Sequence, residues 1–596
     1  MADFKRLRVN LNKDYSAFHR MNIAVLADQA SQYIAQALRA VSFERLIDAR
    51  VYEGAFDRML EEALDPDSGL YLSEPDRIVV FPSAQNYRAR FYNEEKMRRA
   101  TFPEREAARL CDILDALTGR SGAPVIICNF CTMDDGLYGN LAGTYPESLL
   151  SGIRETNMLI AESVKHRDGV FLVDVDMLQS AVGAIHAYDP RSYYLASCPW
   201  TMDFLADVAD RVFAVSDALT GKVRKCLITD LDDTLWGGVV GEVGWEHIAI
   251  GGAGVGRAYA DLQAWIRELS RRGIAVCVCS KNDERVAMMP FLQHPDMVLR
   301  RDDIAVFIAN WRDKASNIRE IRRILNIGFD SMVFIDDNPF ERELVRNALP
   351  DVVVPELPRD ATGVLSYLQS LGLFEAVVIL EEDVARTEMY RHEAERERHR
   401  ERAANLDTYL KELDMRCTIG PFDAFSIPRA AQLTQRTNQF NLRTRRYTER
   451  ELADMTESGE YVTMCASLRD AFGDYGIIGV AILRKDSPET LFLDTFLMSC
   501  RVAKRGVETF MIGVIASEAK RDNYREIIAE YIPTAKNGPA KGLLREMGFV
   551  EQDISDEPDD VGDTVDGPAT RWRLALDSFV PQKTYIEAEM PMIGGK

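Results

Sequence analysis

Long apolar runs are missing from this chain: no stretch is long enough to cross a bilayer and no signal-peptide pattern opens it. The expectation is a cytoplasmic protein with no membrane partner. Cysteine is sparse, 10 in 596 residues, and its scattered spacing offers no disulfide framework, which fits a reducing compartment. Cys128 and Cys131 form a C-x-x-C, but no second pair of metal-ligand spacing lies nearby, so they read as two unrelated thiols. A basic excess is missing too. With 72 Lys and Arg against 94 Asp and Glu the net charge is −22, which argues against nucleic acid as a main partner. What remains is a chain of 46% hydrophobic residues, ample for packed cores, and long enough for three or four domains.

The acidic residues that are present fall in a pattern. Cys226-Leu227-Ile228-Thr229 is short, apolar and β-prone, and reads as a buried strand. It runs into Asp230-Leu231-Asp232-Asp233-Thr234-Leu235. Open α/β sheets place their ligands at the carboxyl ends of strands, which is where Asp230 and Asp232 would stand. Two carboxylates at alternating positions can hold one Mg²⁺ and still leave an oxygen free to attack phosphorus. A second strand, Ile274 to Cys279, ends in Ser280-Lys281-Asn282, whose hydroxyl can hydrogen-bond a phosphoryl group. Lys314 follows on a helix, where an ammonium can neutralise the phosphorus centre. A third strand, Met332 to Ile335, ends in Asp336-Asp337-Asn338 and would complete a metal site of Asp230, Asp232 and Asp336. Thr234, Asn282 and Asp337 are the accompanying phosphate- or substrate-binding candidates. Singly, Asp233, Asp337 and Asn338 read as caps or turns, Ser280 as a strand-end hydroxyl and Lys314 as a surface lysine. Their joint order favours chemistry. In that chemistry Asp230 forms an aspartyl phosphate, and Asp232 protonates the leaving oxygen and then activates water.

The D-x-D-x-T after a hydrophobic strand, with the three later motifs in order, resembles the haloacid-dehalogenase (HAD) superfamily. The short spacings from Asp230 to Ser280 and from Ser280 to Lys314 leave no room for a large lid, so the site is expected to be open to bulky or protein-tethered substrates, unless another domain covers it. Trp236-Gly237-Gly238-Val239-Val240-Gly241-Glu242, Asn310-Trp311 with Lys314, and Phe334 to Pro339 look like the FkbH-like family, HAD subclass IIIC. Gln435 to Leu442, Phe472 to Gly476, Ser499 to Val502 and Tyr531 to Asn537 carry the likeness onward. The resemblance implies release of phosphate from 1,3-bisphosphoglycerate or a related acyl phosphate donor. It implies delivery of the glyceryl group to the phosphopantetheine thiol of an acyl carrier protein, in polyketide or related biosynthesis.

The resemblance also implies three α/β domains. An SGNH-like, non-catalytic domain is expected over 1–220, a capless HAD domain over 221–375, a charged helical linker over 376–412 and a GNAT-like acyltransferase domain over 413–596. The first domain lacks the G-D-S and Asp-x-x-His of a working SGNH hydrolase: its first strand ends in Ala27 to Ser31, and His186 precedes Asp189. In the last, Lys504 and Leu544 depart from GNAT motifs, which makes an ordinary acetyltransferase improbable. Cys500 sits beside Arg501, Lys504 and Arg505 near a helix start, conditions that favour a thiolate. It reads equally as an acyl-accepting nucleophile and as a small buried residue. Asn438, Asp474, Arg501 and Asn537 are candidate substrate contacts, the asparagines and the aspartate reading equally as caps or turns. Arg436, Arg443, Arg445 and Arg446 form a candidate basic patch for an acidic carrier. Two other readings stand beside loading: a plain Mg-dependent phosphatase on a small metabolite, and a carrier-docking scaffold.

Overall fold

The computed structural model describes residues 3–377, 390, 392, 395–396, 399–400, 405–499, 502–503, 505–534, 536–552 and 569–589. The chain divides into two compact units, Met1–Leu219 with Glu375–Val378, and Thr220–Phe374 with Ile379–Lys596.

The first unit is built on five parallel strands, β1 (His19–Ala27), β2 (Ile47–Glu53), β3 (Arg77–Phe81), β4 (Val125–Cys128) and β5 (Val170–Val173), in the order β2-β1-β3-β4-β5. Helices on both faces bury it: α1 (Gln32–Ser42), α2 (Ala84–Asn93), α3 (Phe102–Arg120), α4 (Leu149–Lys165) and α5 (Met202–Leu219). The strands β1, β3, β4 and β5 follow apolar runs plain in the sequence. The edge strand β2 does not, because Asp48, Arg50 and Glu53 interrupt its apolar residues.

The second unit holds two sheets. Four short parallel strands, β6 (Cys226–Thr229), β7 (Ala275–Ser280), β8 (Val306–Ala309) and β9 (Met332–Ile335), lie in the order β8-β7-β6-β9. All but Ile308 are buried, as a sheet covered on both faces requires. Between the strands run α6 (Val240–Val243), α7 (Val255–Arg271), α8 (Glu284–Gln293), α9 (Lys314–Leu325) and, after β9, α10 (Pro339–Ala348). No separate domain is inserted between Asp230 and Lys314.

The other sheet has eight strands: β10 (Met415–Gly420), β11 (Tyr461–Asp470), β12 (Gly473–Lys485), β13 (Thr490–Met498), β14 (Glu526–Tyr531), β15 (Val550–Gln552), β16 (Thr570–Ala575) and β17 (Ile586–Glu589). They are ordered β15-β16-β14-β13-β12-β11-β10-β17, antiparallel except at β13–β14 and β10–β17. Helices α11 (Ile427–Arg436), α12 (Glu449–Ser458) and α13 (Val507–Arg521) pack on it. The expected linker helix lies largely outside the described residues, but Tyr390 is buried with the β6–β9 core and Arg396 grips Asp470 at 2.7 and 2.8 Å. The acidic stretch after Gln552 also lies outside them.

One irregularity shapes this sheet. β13 and β14 pair only from Thr490 to Leu493 and from Glu526 to Ala529. Beyond that they part, and the chain's own Phe440–Leu442 fills the gap. Leu442 N–H donates to Phe496 O (3.2 Å), Met498 N–H to Phe440 O (2.9 Å) and Ile532 N–H to Leu442 O (2.9 Å). Asn537, fully buried, locks the insertion: its amide donates to Asn441 O (3.1 Å) and Ile532 O (2.8 Å), while its Oδ1 accepts from Thr534 N (2.8 Å) and the Tyr531 hydroxyl (3.1 Å). Truncating it strands several buried polar groups, so Asn537→Ala is expected to lower unfolding stability by about 3 kcal/mol in urea titration.

Candidate active site

The site stands at the carboxyl ends of β6, β7 and β9. Asp230 follows β6 directly, and its N–H bonds to Ile335 O (3.0 Å), which extends the pairing to β9 by one residue. A tight turn follows: Leu235 N–H reaches back to Leu231 O (2.8 Å), and Asp233 adopts φ +51°, a left-handed conformation that aspartate tolerates. Asp233 then accepts Gly238 N–H at 2.7 Å, closing the Gly-rich flap over the turn.

Lys314 is the first residue of α9, whose N-cap Asp313 accepts Ser316 N–H. Its ammonium is 2% exposed and lies 2.6 Å from Asp230 Oδ2 and 2.5 Å from Asp336 Oδ2. Asp336 is fully buried, with Oδ1 accepting Asn338 N–H at 2.8 Å. Asp337 is tied to the first motif through Thr234, whose Oγ1 donates to Asp337 Oδ1 (3.3 Å) and accepts Asp337 N–H (3.0 Å). Ser280 is buried at the end of β7.

The electrostatics are one-sided. Oxygens of Asp230, Asp336 and Asp337 lie within 4.8 Å of one another, against a single ammonium. Burial alone would lower the Lys314 pKa, but the Asp230 and Asp336 carboxylates outweigh it and hold the amine above its usual value. Burial and then Asp230 push Asp336 up to about 6, with Lys314 pulling the other way. Burial, Asp230 and Asp233 raise Asp337. One lysine shared by two carboxylates stays firmly charged, yet leaves negative charge uncompensated. Asp230 Oδ1 is buried and has no hydrogen-bond partner. A hard divalent cation fits the oxygen donors and the excess negative charge.

The donor set differs from the expected one. Asp232 does not join the carboxylate group. Its Oδ1 accepts from the Trp236 indole N–H (2.9 Å) and Val240 N–H (2.9 Å), and its Oδ2 from the Asn282 amide (2.7 Å). The third carboxylate is Asp337, from the acidic pair at the end of β9. Trp236, completely buried, was not singled out for a role; its place four residues after Asp232 was the available signal.

Among the described residues, the candidates of the eight-stranded sheet do not converge in this way. Cys500 and Arg501 lie outside the described residues, as does Lys504. Asn438 is half-buried in the chain leading to the inserted segment. Asp474 is exposed and accepts Gly476 N–H at 2.7 Å, a turn role. Asn537 is consumed by the core. Of the expected basic patch, Arg443 is buried against Asp494 (2.7 Å) and Glu530 (3.4 Å), and Arg445 lies 3.6 Å from Asp494; Arg446 is exposed. In the first unit Gln29 is buried just after β1, and Asp189 caps a short helix through Ser192. No helix among the described residues is long and apolar enough to cross a membrane.

If the carboxylate group holds Mg²⁺, the cation stabilises the fold that presents it. Millimolar Mg²⁺ is expected to raise the melting temperature of the wild-type protein and leave that of Asp336→Asn unchanged in thermal-shift titration.

A family model described as FkbH, N-terminal domain, matches residues 22–217. The N-terminal part of a Bacteroides fragilis protein, described as containing a phosphatase domain and complexed with Mg, is 36% identical, with a TM-score of 0.61, over 63% of this chain and 100% of its own. A ribosomal-protein-S18-alanine N-acetyltransferase of Escherichia coli is 18% identical over 27% of this chain and 94% of its own, with a TM-score of 0.22. A spermidine N-acetyltransferase of Vibrio cholerae, solved with CoA and spermine, is 15% identical over 27% and 96%, also at 0.22. These last two likenesses carry no argument about activity. No curated protein matches the chain significantly. The phosphatase relative, the N-terminal family match and the site between β6 and β9 agree: this multidomain α/β chain belongs to the FkbH-like family and carries a HAD-like phosphatase domain.

Proposed function

We propose that the protein dephosphorylates 1,3-bisphosphoglycerate or a related acyl phosphate and transfers the glyceryl group to the thiol of an acyl carrier protein. The observation that carries the phosphatase half is the state of Asp230. One of its oxygens is fixed by Lys314 and the other is buried with no hydrogen-bond partner, as a nucleophile awaiting phosphorus requires.

Asp230 Oδ1 attacks the ester phosphate, and the bond from phosphorus to the glyceryl oxygen breaks. Lys314 offsets the charge that builds on the phosphoryl oxygens, in a site where burial strengthens its effect. Asp232 supplies the proton to the leaving oxygen and then takes one from the water that cleaves the aspartyl phosphate. Trp236, Val240 and Asn282 fix its orientation. Asp230, Asp336 and Asp337 would hold Mg²⁺, which when bound neutralises phosphate charge and keeps the carboxylates ionised.

The acyl phosphate is the second reactive end. In this reading the Cys500 thiolate attacks the acyl carbon, inorganic phosphate leaves, and the thioester passes by exchange to the carrier thiol. The filled gap between β13 and β14 leaves an extended amide-bearing arm no vacant strand edge to pair with there, whether the arm belongs to CoA or to a carrier. Free CoA at about 1 mM is therefore expected to leave the melting temperature unchanged.

Intact-protein mass spectrometry of enzyme, Mg²⁺, 1,3-bisphosphoglycerate and a candidate carrier tests the whole reading. A glyceryl adduct on the carrier, lost in both Asp230→Asn and Cys500→Ala, is expected. Phosphate release with no adduct, indifferent to Cys500→Ala, would instead leave a plain phosphatase with another substrate.

A further inference from the structure

Helix α10 begins immediately after the metal-site loop, capped by Asn338, whose Oδ1 accepts Phe340 N–H at 2.9 Å. Its first turn splits sharply by exposure. Phe340 is 68% exposed, whereas Glu341 and Arg342, charged residues on a surface helix, are buried. Burying a guanidinium costs several kcal/mol unless its donors are used, and here all three nitrogens are used. Arg342 Nη1 donates to the backbone oxygens of Asp336 (2.8 Å) and Asp337 (2.7 Å) together. Its other edge is anchored by Glu356, which accepts from Nε (3.2 Å) and Nη2 (2.9 Å) and is itself held by Arg346 at 2.5 Å. The neighbouring Glu341 holds Lys281, between Ser280 and Asn282, at 2.6 Å.

We infer that Arg342 is a positioning residue: by bridging the two consecutive carbonyls it fixes the β9–α10 loop so that Asp336 and Asp337 stay close to Asp230. The inference rests on the metal-site reading above. Three carboxylates with oxygens within 4.8 Å of one another repel, and while Thr234, Lys314 and the Asn338 N–H hold the side chains and one N–H of the two that follow β9, their backbone carbonyls are held by Arg342. A single nitrogen satisfying both carbonyls sets the rotation of those planes, and with it the direction of both side chains. A lysine at the same place supplies charge but no planar fork, so it cannot hold Glu356 and both carbonyls in one geometry. Groups that orient metal ligands without touching the ion typically change affinity by about 10–100-fold when removed.

The test is a Mg²⁺ titration read by thermal shift, with phosphatase rate measured in parallel, on full-length wild type, Arg342→Lys and Glu356→Gln. The expected result is a melting temperature without Mg²⁺ near that of wild type for Arg342→Lys. Its Mg²⁺ midpoint should rise by about 10-fold or more, and excess Mg²⁺ should restore most of kcat. A merely structural arginine would lower the melting temperature at every Mg²⁺ concentration and leave the midpoint within about twofold, and that result overturns the inference. Should Arg342→Lys fail to fold, Glu356→Gln decides, since it keeps the guanidinium and removes its anchor: a raised midpoint supports positioning and an unmoved one refutes it. Absence of any Mg²⁺ shift in wild type would sink the metal reading itself, whereas a wild-type shift unaltered in the variants sinks only the role of Arg342.

Discussion

The phosphatase half of this molecule depends on one buried ammonium. Lys314 is held between Asp230 and Asp336, the residues that directly follow strands β6 and β9, while the lysine itself arrives on the helix after β8. Three separate crossovers of the sheet therefore meet in one ion cluster. Removing the lysine would leave the buried Asp336 carboxylate without its partner, a cost of several kcal/mol. The cluster is also unbalanced by design of its composition: one cation cannot satisfy three acids. The same deficit that makes it a poor internal salt bridge makes it a good receptor for a cation and then for a phosphoryl group.

Around that cluster the restraints are arranged in layers. Thr234 ties the turn after β6 to the loop after β9, and the Trp236 indole and Asn282 amide fix Asp232 from the turn after β6 and the loop after β7. Each is a short polar contact in a mostly apolar setting, where hydrogen bonds are strong and their loss expensive. The absence of an inserted domain between Asp230 and Lys314 means that this rigidity is intrinsic to the sheet and its loops and does not await closure of a lid within that stretch.

The sheet of this site was legible because it is written in short blocks. Apolar tetrads of the kind Cys226-Leu227-Ile228-Thr229 are too short for helices and carry β-branched residues, so they read as buried strands, with the polar residues that end them at one edge. What the sequence could not reveal was the turn of a side chain. Asp232 alternates with Asp230 and so looks like its partner, yet an indole four residues on claims its carboxylate and Asp337 takes the place. β2 was hidden by charges that an edge strand can afford to expose. Asn537 stood in a motif that invited a functional reading; four hydrogen bonds to its own neighbourhood make it an architectural residue instead. Cys500 is a matter of chemistry alone, outside the described residues.

The tripeptide lodged between β13 and β14 also sets a schedule. Phe440–Leu442 can be seated only when Phe496 and Met498 are present, and the Asn537 amide that secures it comes 96 residues after Asn441. During synthesis the tripeptide is therefore made long before its lock, and its Leu442 carbonyl carries an unsatisfied edge until Ile532 arrives. Contacts of such sequence separation form slowly. The eight-stranded sheet should thus be the late and aggregation-exposed step in the maturation of this chain, and the four-stranded phosphatase sheet, complete by Ile335, the early one.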